Sequence, residues 1–389
     1  MSTAIPSSPI IQAIEAVVGN APRPIHLHEP LFIGNEEAYV SSCIRDGWVS
    51  SVGAFVDRFE QDLAKACGAK HAVVVVNGTC ALHVLLAAIG VKPGDEVIVP
   101  SLTFAATANS VAHAGAIPHF VDIEETSLGI DPIALDRHLE GIVTIKNNEA
   151  INKQTGRVIR ALVPVHVFGH PCQLAALQGV ATKYHLTLVE DATEALGSTI
   201  GGKPVGSFGH AVLSFNGNKI ITTGGGGAIV TQDSELARRL KHLTTTAKKP
   251  HAWAFEHDEI AWNYRLPNLN AALGCAQLEQ LAKYVAAKRA LAERYIAAFA
   301  PVKGLRILPE PKGTTSNYWL VTLLAEQGSQ AWLEETLQAL HDVKLLCRPV
   351  WRPLHQLPMY AHCPRADLSR TQDLAQRIIS LPSSVKLGL

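Results

Sequence analysis

Charge of one sign is missing from this chain. Its 389 residues carry 34 lysines and arginines against 34 aspartates and glutamates. That balance argues against nucleic acid as a partner, because a duplex-binding face needs excess basic charge to displace counterions. Cysteine pairs are missing too: Cys43, Cys67, Cys80, Cys172, Cys275, Cys347 and Cys363 are scattered, odd in number and never in a C-x-x-C. This argues against a disulfide or zinc framework and fits free thiols in a reducing cytoplasm. No apolar run approaches bilayer-spanning length. The N-terminal stretch MSTAIPSSPIIQAIEAVV lacks a basic n-region and carries Pro6 and Glu15, so it reads as neither secretory signal nor membrane anchor. Internal repeats and low-complexity segments are absent.

Several familiar site motifs are also lacking. Gly201-Gly202-Lys203 has neither the spacing nor the Ser/Thr of a phosphate-binding P-loop, and the run at Gly224 is no G-x-G-x-x-G after a first strand. His166 and His170 are four apart, but Phe168-Gly169 and a strand context argue against a zinc helix. No G-x-S-x-G elbow occurs.

What is present is a large apolar fraction, 47%, with a mean hydropathy of +0.13, which fits a well-buried α/β core. The first fifty residues read as a helix over 10–18, a proline-broken stretch, and a second helix from Gly34 to Gly47; a third runs over 51–65. Strand-like apolar runs then recur at 72–76, 96–99, 117–121, 161–167 and 186–189, with helical patterns between them. This alternation predicts a mostly parallel sheet covered on both faces. Beyond Arg238 the character changes: a polar loop over 244–257, one long helical stretch over 269–299, then a smaller α+β unit. There the pattern predicts strands over 318–324 and 345–350 around a helix over 332–341. The expected division is an N-terminal segment (1–50) packing on the body, a large domain (51–265), and a linking helix with a small domain (266–389).

Site chemistry concentrates between Leu188 and Val230. Asp191 ends an apolar strand, where open α/β sheets place ligands, although a capping aspartate would look the same. Ser214 and Lys219 flank the polar turn Asn216-Gly217-Asn218, which by itself also reads as a surface turn. Upstream, Asn77-Gly78-Thr79 joins a strand to a helix. It is either an anion site built on free helix N–H groups or an ordinary capped turn.

Taken in order, the phosphate-type turn, an aromatic loop, a strand-end aspartate and Ser-x-x-x-x-Lys resemble the fold-type-I (aspartate-aminotransferase-like) pyridoxal-phosphate enzymes. More narrowly, the chain is similar to the DegT/DnrJ/EryC/StrS nucleotide-sugar aminotransferases. The resemblance covers nearly its whole length: Gly47-Trp48-Val49 with Gly53 and Phe59-Glu60, Asn77-Gly78-Thr79, Pro100 to Asn109, His166 to Gly169, Glu190-Asp191-Ala192, Ser214 to Lys219, and Asn263-Tyr264-Arg265.

The resemblance implies a pyridoxal 5'-phosphate cofactor and a role for each matching residue. Lys219 is the lysine of the internal aldimine and the proton shuttle. Asp191 holds a proton on the ring nitrogen, and Phe104 stacks on the ring. Gly78, Thr79 and Ser214 hold the phosphate, and Asn263 serves the phosphate site of a neighbouring subunit in a homodimer. It further implies a cytoplasmic enzyme that takes an amino group from L-glutamate to a nucleotide-linked 4-keto-6-deoxy sugar. Glu194 stands where many members carry Gln or His near the cofactor's phenolic oxygen, and a carboxylate there should repel a phenolate unless paired or protonated. The turn Phe215-Asn216-Gly217-Asn218 resembles the branch acting on UDP-linked N-acetylhexosamines of the bacillosamine or legionaminic acid type. A same-fold enzyme on another substrate (an aminoshikimate-type synthase or a lyase), or a non-catalytic regulator, are the alternative expectations.

Overall fold

The computed structural model describes residues 7–389. Residues 1–6, the start of the stretch read as no leader, lie outside the described residues. The chain builds a nine-stranded sheet from β1 (His71–Val75), β2 (Glu96–Pro100), β3 (Ile117–Val121), β4 (Val143–Lys146), β5 (Glu149–Asn152), β6 (Val158–Leu162), β7 (Thr187–Asp191), β8 (His210–Ser214) and β9 (Gly227–Thr231). The main path runs β1-β9-β8-β7-β6-β2-β3, with the β4–β5 hairpin added beside β6. Along that path β8, β7, β6, β2 and β3 pair in parallel. Only β9 runs the other way, antiparallel to both β1 and β8.

The connections explain this pattern. Parallel neighbours need long crossovers, whereas antiparallel ones can be joined directly; most crossovers here carry a helix, while residues 192–209 between β7 and β8 carry only two short strands, Thr199–Ile200 and Lys203–Pro204. Helices α1 (Ser7–Val18), α2 (Glu36–Arg45) and α3 (Ala54–Ala66) precede the sheet, and α4 (Gly78–Ala88), α5 (Ala105–His113), α6 (Pro132–Ile142) and α7 (Leu174–Lys183) lie within it. Between β8 and β9 no helix intervenes. Residues 215–226 instead cross the carboxyl ends of the parallel strands as a loop pinned at its base, Phe215 N–H to Gly226 O at 2.8 Å and Thr223 N–H to Phe215 O at 3.0 Å. Lys219 rides on that loop.

α4 buries Ala81, Leu82, Val84, Leu85 and Leu86, and it packs between the sheet and α5 and α8 (Ser234–Thr244). A helix apolar nearly all round is stable only in such a setting.

The C-terminal part holds α9 (Asn268–Glu279), α10 (Leu281–Phe299) and a four-stranded antiparallel sheet. Its strands are β10 (Leu305–Ile307), β11 (Thr322–Ala325), β12 (Arg348–Pro349) and β13 (Ile378–Ser380), in the order β10-β11-β13-β12, with α11 (Gln330–Asp342) beside them. Ile10 and Ile14 of α1 share its core with Leu291, Tyr295, Phe299 and Leu323.

Three elements differ from expectation. The long helix over 269–299 is two helices meeting at Gln280. The strand expected over 161–167 is displaced toward the N-terminus and ends at Leu162, just before Pro164, which has no N–H for a ladder. The strand expected from Tyr318 starts only at Thr322. Ahead of it, Ser316 and Asn317 spend their side chains on distant backbone: Asn317 donates to the carbonyls of Glu194 (3.0 Å) and Leu196 (2.9 Å), and Ser316 to that of Gly169 (2.9 Å). Asn317 also accepts the Trp319 N–H at 2.8 Å. Such side-chain bonds compete with a ladder, and Tyr318 takes a left-handed φ of 46° in their midst.

Candidate active site

The carboxyl ends of β7 and β8, the start of α4 and the β8–β9 loop enclose a cavity of about 350 Å³. Gly78, Thr79, Phe104, Asp191, Glu194, Ser214 and Lys219 all line it, together with Thr107, Thr193, Trp319 and Trp351. Of the residues expected at the site, only Asn263 is not among the lining residues. It is exposed, and its side-chain oxygen accepts from Arg265 Nε at 3.2 Å.

Local sequence builds each wall. Asn77 caps α4, its Oδ1 accepting from Cys80 N–H at 2.8 Å, a contact typically worth ~1 kcal/mol. The N–H groups of Gly78 and Thr79, in the first turn, have no partner within the helix and border the cavity. Gly78 is needed for close approach, since a Cβ there would come within 3.1 Å of Ser214 Cβ and 3.3 Å of Thr193 Cγ2. Gly227 serves the same wall from behind: its Cβ would lie 2.5 Å from the Asn77 carbonyl carbon.

Asp191, the last residue of β7, is only 4% exposed. Thr107 Oγ1 donates to its Oδ2 at 2.8 Å, and Thr193 Oγ1 to its Oδ1 at 2.7 Å. Its backbone is tied to the segment that follows β6 by Asp191 N–H to Pro164 O (2.8 Å) and His166 N–H to Asp191 O (3.1 Å). The carboxylate is therefore fixed in place with acceptor capacity left over. Phe104, the residue before α5, stays 58% exposed at the mouth, 6.5 Å from Trp351 between ring centres.

Lys219 Nζ stands 3.3 Å from Glu194 Oε1 and 3.9 Å from the centre of the Trp319 ring. Trp319 is itself held, its Nε1 donating to Asn218 O at 2.7 Å. Glu194 Oε2 accepts the Phe168 N–H at 2.8 Å. Burial pushes the Glu194 carboxyl above its ordinary value, and Lys219 pulls it back. The carboxylate that stood out in the sequence is thus paired.

His166 and His170 take no part. His166 Nε2 lies 3.1 Å from Glu190 Oε2 in full burial. The His170 imidazole has no hydrogen-bond partner among the described residues and sits edge-on to Tyr318.

Sequence reasoning passed over Thr107 and Thr193 as carboxylate holders and Trp319 and Trp351 as walls. Thr107 lay inside the Pro100–Asn109 motif, but only the pairing of strands shows that it reaches Asp191.

The donor set suits pyridoxal phosphate. Two helix N–H groups and a hydroxyl face one wall, a carboxylate fixed by two hydroxyls stands at a strand end, and an amine and an aromatic ring border the same space.

The family model for the DegT/DnrJ/EryC1/StrS aminotransferase family matches residues 32–389. GDP-perosamine synthase of Vibrio cholerae is 37% identical over 364 residues, covering 92% of this chain and 94% of that protein. The spore coat polysaccharide biosynthesis protein SpsC of Bacillus subtilis is 34% identical, covering 90% of each. The crystal structure of S. venezuelae DesV, in complex with a ketimine intermediate, superposes with a TM-score of 0.80 at 30% identity, covering 91% of this chain and 90% of that one. The chain belongs to the DegT/DnrJ/EryC1/StrS aminotransferase family and is a pyridoxal-phosphate-dependent aminotransferase.

Proposed function

We propose that this enzyme moves an amino group from L-glutamate to the keto group of a nucleotide-linked 4-keto-6-deoxy sugar. The observation that carries this reading is the convergence of Asp191, Lys219 and the α4 N-terminus on one aromatic-walled cavity. Pyridoxal phosphate, when bound, supplies an electron sink for the carbanion formed at the amino-acid α-carbon. Asp191 keeps a proton on the ring nitrogen, held in place by the Thr107 and Thr193 hydroxyls. Gly78, Thr79 and Ser214 bind the phosphate through N–H and O–H donors. Phe104 covers the ring face at the mouth. Lys219 would hold the cofactor, and its Nζ would take and return a proton at the amino-acid α-carbon.

A second copy of the chain fits this reading. The loop after α8 exposes Trp253 (81%), Phe255 (79%) and Ile260 (92%), apolar surface that calls for cover. Asn263 follows directly, available to a neighbour's phosphate site in a homodimer. The seven cysteines are all free thiols, in keeping with a cytoplasmic setting. Among the described residues no helix is long and apolar enough to cross a membrane.

For the sugar, the turn Phe215 to Asn218 supports a UDP-linked N-acetylhexosamine. The 37% identity to a GDP-perosamine synthase favours a second reading, a GDP-linked sugar. One experiment separates them: 2-oxoglutarate release from L-glutamate with a panel of UDP- and GDP-linked 4-keto-6-deoxy sugars. The proposal expects continued release, beyond the one equivalent per enzyme that glutamate alone yields, only when such a sugar is present. Sugar-independent turnover, or none with any member of the panel, overturns it.

A further inference from the structure

Lys219 has to be a free amine to attack a carbonyl carbon, yet it stands as an ion pair with Glu194 inside a largely closed space. The side chains are 13% and 3% exposed and 3.3 Å apart. The ammonium proton must go somewhere when the lysine reacts, and Glu194 Oε1 is the acceptor within reach. The other oxygen is already used, because Oε2 takes the Phe168 N–H at 2.8 Å. Phe168 makes that bond from a left-handed backbone, φ 56°, a conformation that is strained for a non-glycine residue. The strain aims an N–H at one oxygen of Glu194 and leaves the other facing the lysine.

We propose that Lys219 and Glu194 share one proton: it sits on the lysine while the pair is ionic, passes to Glu194 Oε1 when Lys219 becomes a nucleophile, and returns when Lys219 is released. This rests on the reading that Lys219 carries the cofactor. In the loading step the proton first moves from Nζ to Oε1. The neutral amine then forms a C=N bond with the cofactor's aldehyde carbon, the C=O bond breaks, and the oxygen leaves as water with the two amine hydrogens. Glu194 is left as a neutral carboxyl and the proton count is unchanged.

The surroundings favour this exchange. Burial favours the neutral carboxyl, and the carboxylate of Asp191 on β7 acts in the same sense; the charge of Lys219 and the Phe168 N–H oppose them. From the other side the field of Lys219 reaches His28, on the segment before α2. Burial, then the charges of Lys288 on α10 and of Lys219, keep that imidazole well below its ordinary value, so it stays neutral and offers no competing charge. Lys288 is likewise held down by its own burial. In such a low-dielectric pair the neutral form competes with the ionic one once the ammonium is removed.

Infrared difference spectroscopy tests this on the intact protein as cofactor is added to the apoenzyme. The expected result is a new C=O stretch of a neutral carboxyl, shifted in D2O, rising with the absorbance band of lysine-bound cofactor and missing in Glu194→Gln. The amide oxygen in that variant still accepts the Phe168 N–H, so the local fold is retained. If wild-type protein forms the cofactor band with no neutral-carboxyl stretch, or if Glu194→Gln shows the same stretch, the proposal is overturned. Should Lys219→Ala still form that absorbance band, the reading beneath it fails instead.

Discussion

At the amino end of β2, Glu96 is fully buried and both its oxygens are engaged. Oε2 accepts from His119 Nδ1 at 2.8 Å and Asn152 Nδ2 at 2.9 Å, and Oε1 from Thr155 Oγ1 at 2.5 Å. His119 passes its other nitrogen to His138 at 2.8 Å. Burial works against the Glu96 charge, but the bonds from His119, Thr155 and Asn152 hold it below its ordinary value. At the carboxyl end of β7 in the same sheet, Asp191 is nearly as buried, held by Thr107 and Thr193, and opens on a cavity. Burial and charge are alike at the two ends. Each accepts three hydrogen bonds, Asp191 taking its third from the Thr193 N–H at 3.3 Å. What distinguishes the site is the space its carboxylate faces; the knot around Glu96 is closed on itself and serves stability.

The largest effect expected from that contrast is on chemistry at the open end. Asp191→Asn removes the carboxylate proposed to keep the ring nitrogen protonated, and kcat should fall about 10²–10⁴-fold while the thermal midpoint stays close to wild type. Steady-state kinetics with differential scanning calorimetry would check both halves, and a variant of near-normal kcat would erase the distinction.

A third kind of buried group, one with no partner at all, sharpens the comparison next. Burial lowers the His170 pKa to about 4 from 6.5. The unfolded chain therefore binds more protons than the fold between these values. Stability from this group is full above pH 6.5 and is lost as pH falls toward 4, by on the order of 3 kcal/mol. Chemical denaturation across that window should show the loss in wild type and a flatter profile in His170→Phe. Equal slopes would contradict this assignment.

At the closed end, Glu96→Gln puts an amide donor among donors already aimed at the carboxylate. A destabilisation of about 2–3 kcal/mol is expected from urea unfolding, with kcat unchanged. A drop in kcat at equal stability would mean that the amino end is not inert. The smallest effect belongs to Thr107→Val, which deletes one of two hydroxyls on Asp191. With ~1 kcal/mol at stake, kcat should fall about fivefold, and a pre-folded Asp191 that tolerates the loss without change would show that Thr193 suffices.

How much of this was legible before the structure follows from where each signal resides. Strand and helix alternation is a periodic property, so most strands of the large sheet could be located to within a few residues. The turn at Asn77-Gly78-Thr79 and the Asp191, Ser214 and Lys219 series lie in short stretches whose order along the chain is itself informative. Thr107 was invisible as a carboxylate holder because α5 follows β2, two strands away from β7 in the sheet order. Trp319 and Trp351 come from around the smaller sheet, and no local pattern tells that they wall the cavity that holds Lys219. The strand over 318–324 was misread because Ser316 and Asn317 bind backbone far away in sequence. Glu194 looked out of place until Lys219 and the Phe168 N–H were seen on its two oxygens.

The central claim is that the open end of the sheet is a transamination site built around Lys219. The most direct measurement is the absorbance of purified protein with pyridoxal phosphate, before and after L-glutamate, in wild type and Lys219→Ala. Wild type should show the band of lysine-bound cofactor and lose it on adding glutamate, with 2-oxoglutarate formed in step; Lys219→Ala should show no such band and no turnover. A Lys219→Ala protein that still forms the band and cycles amino groups at the wild-type rate would contradict the account.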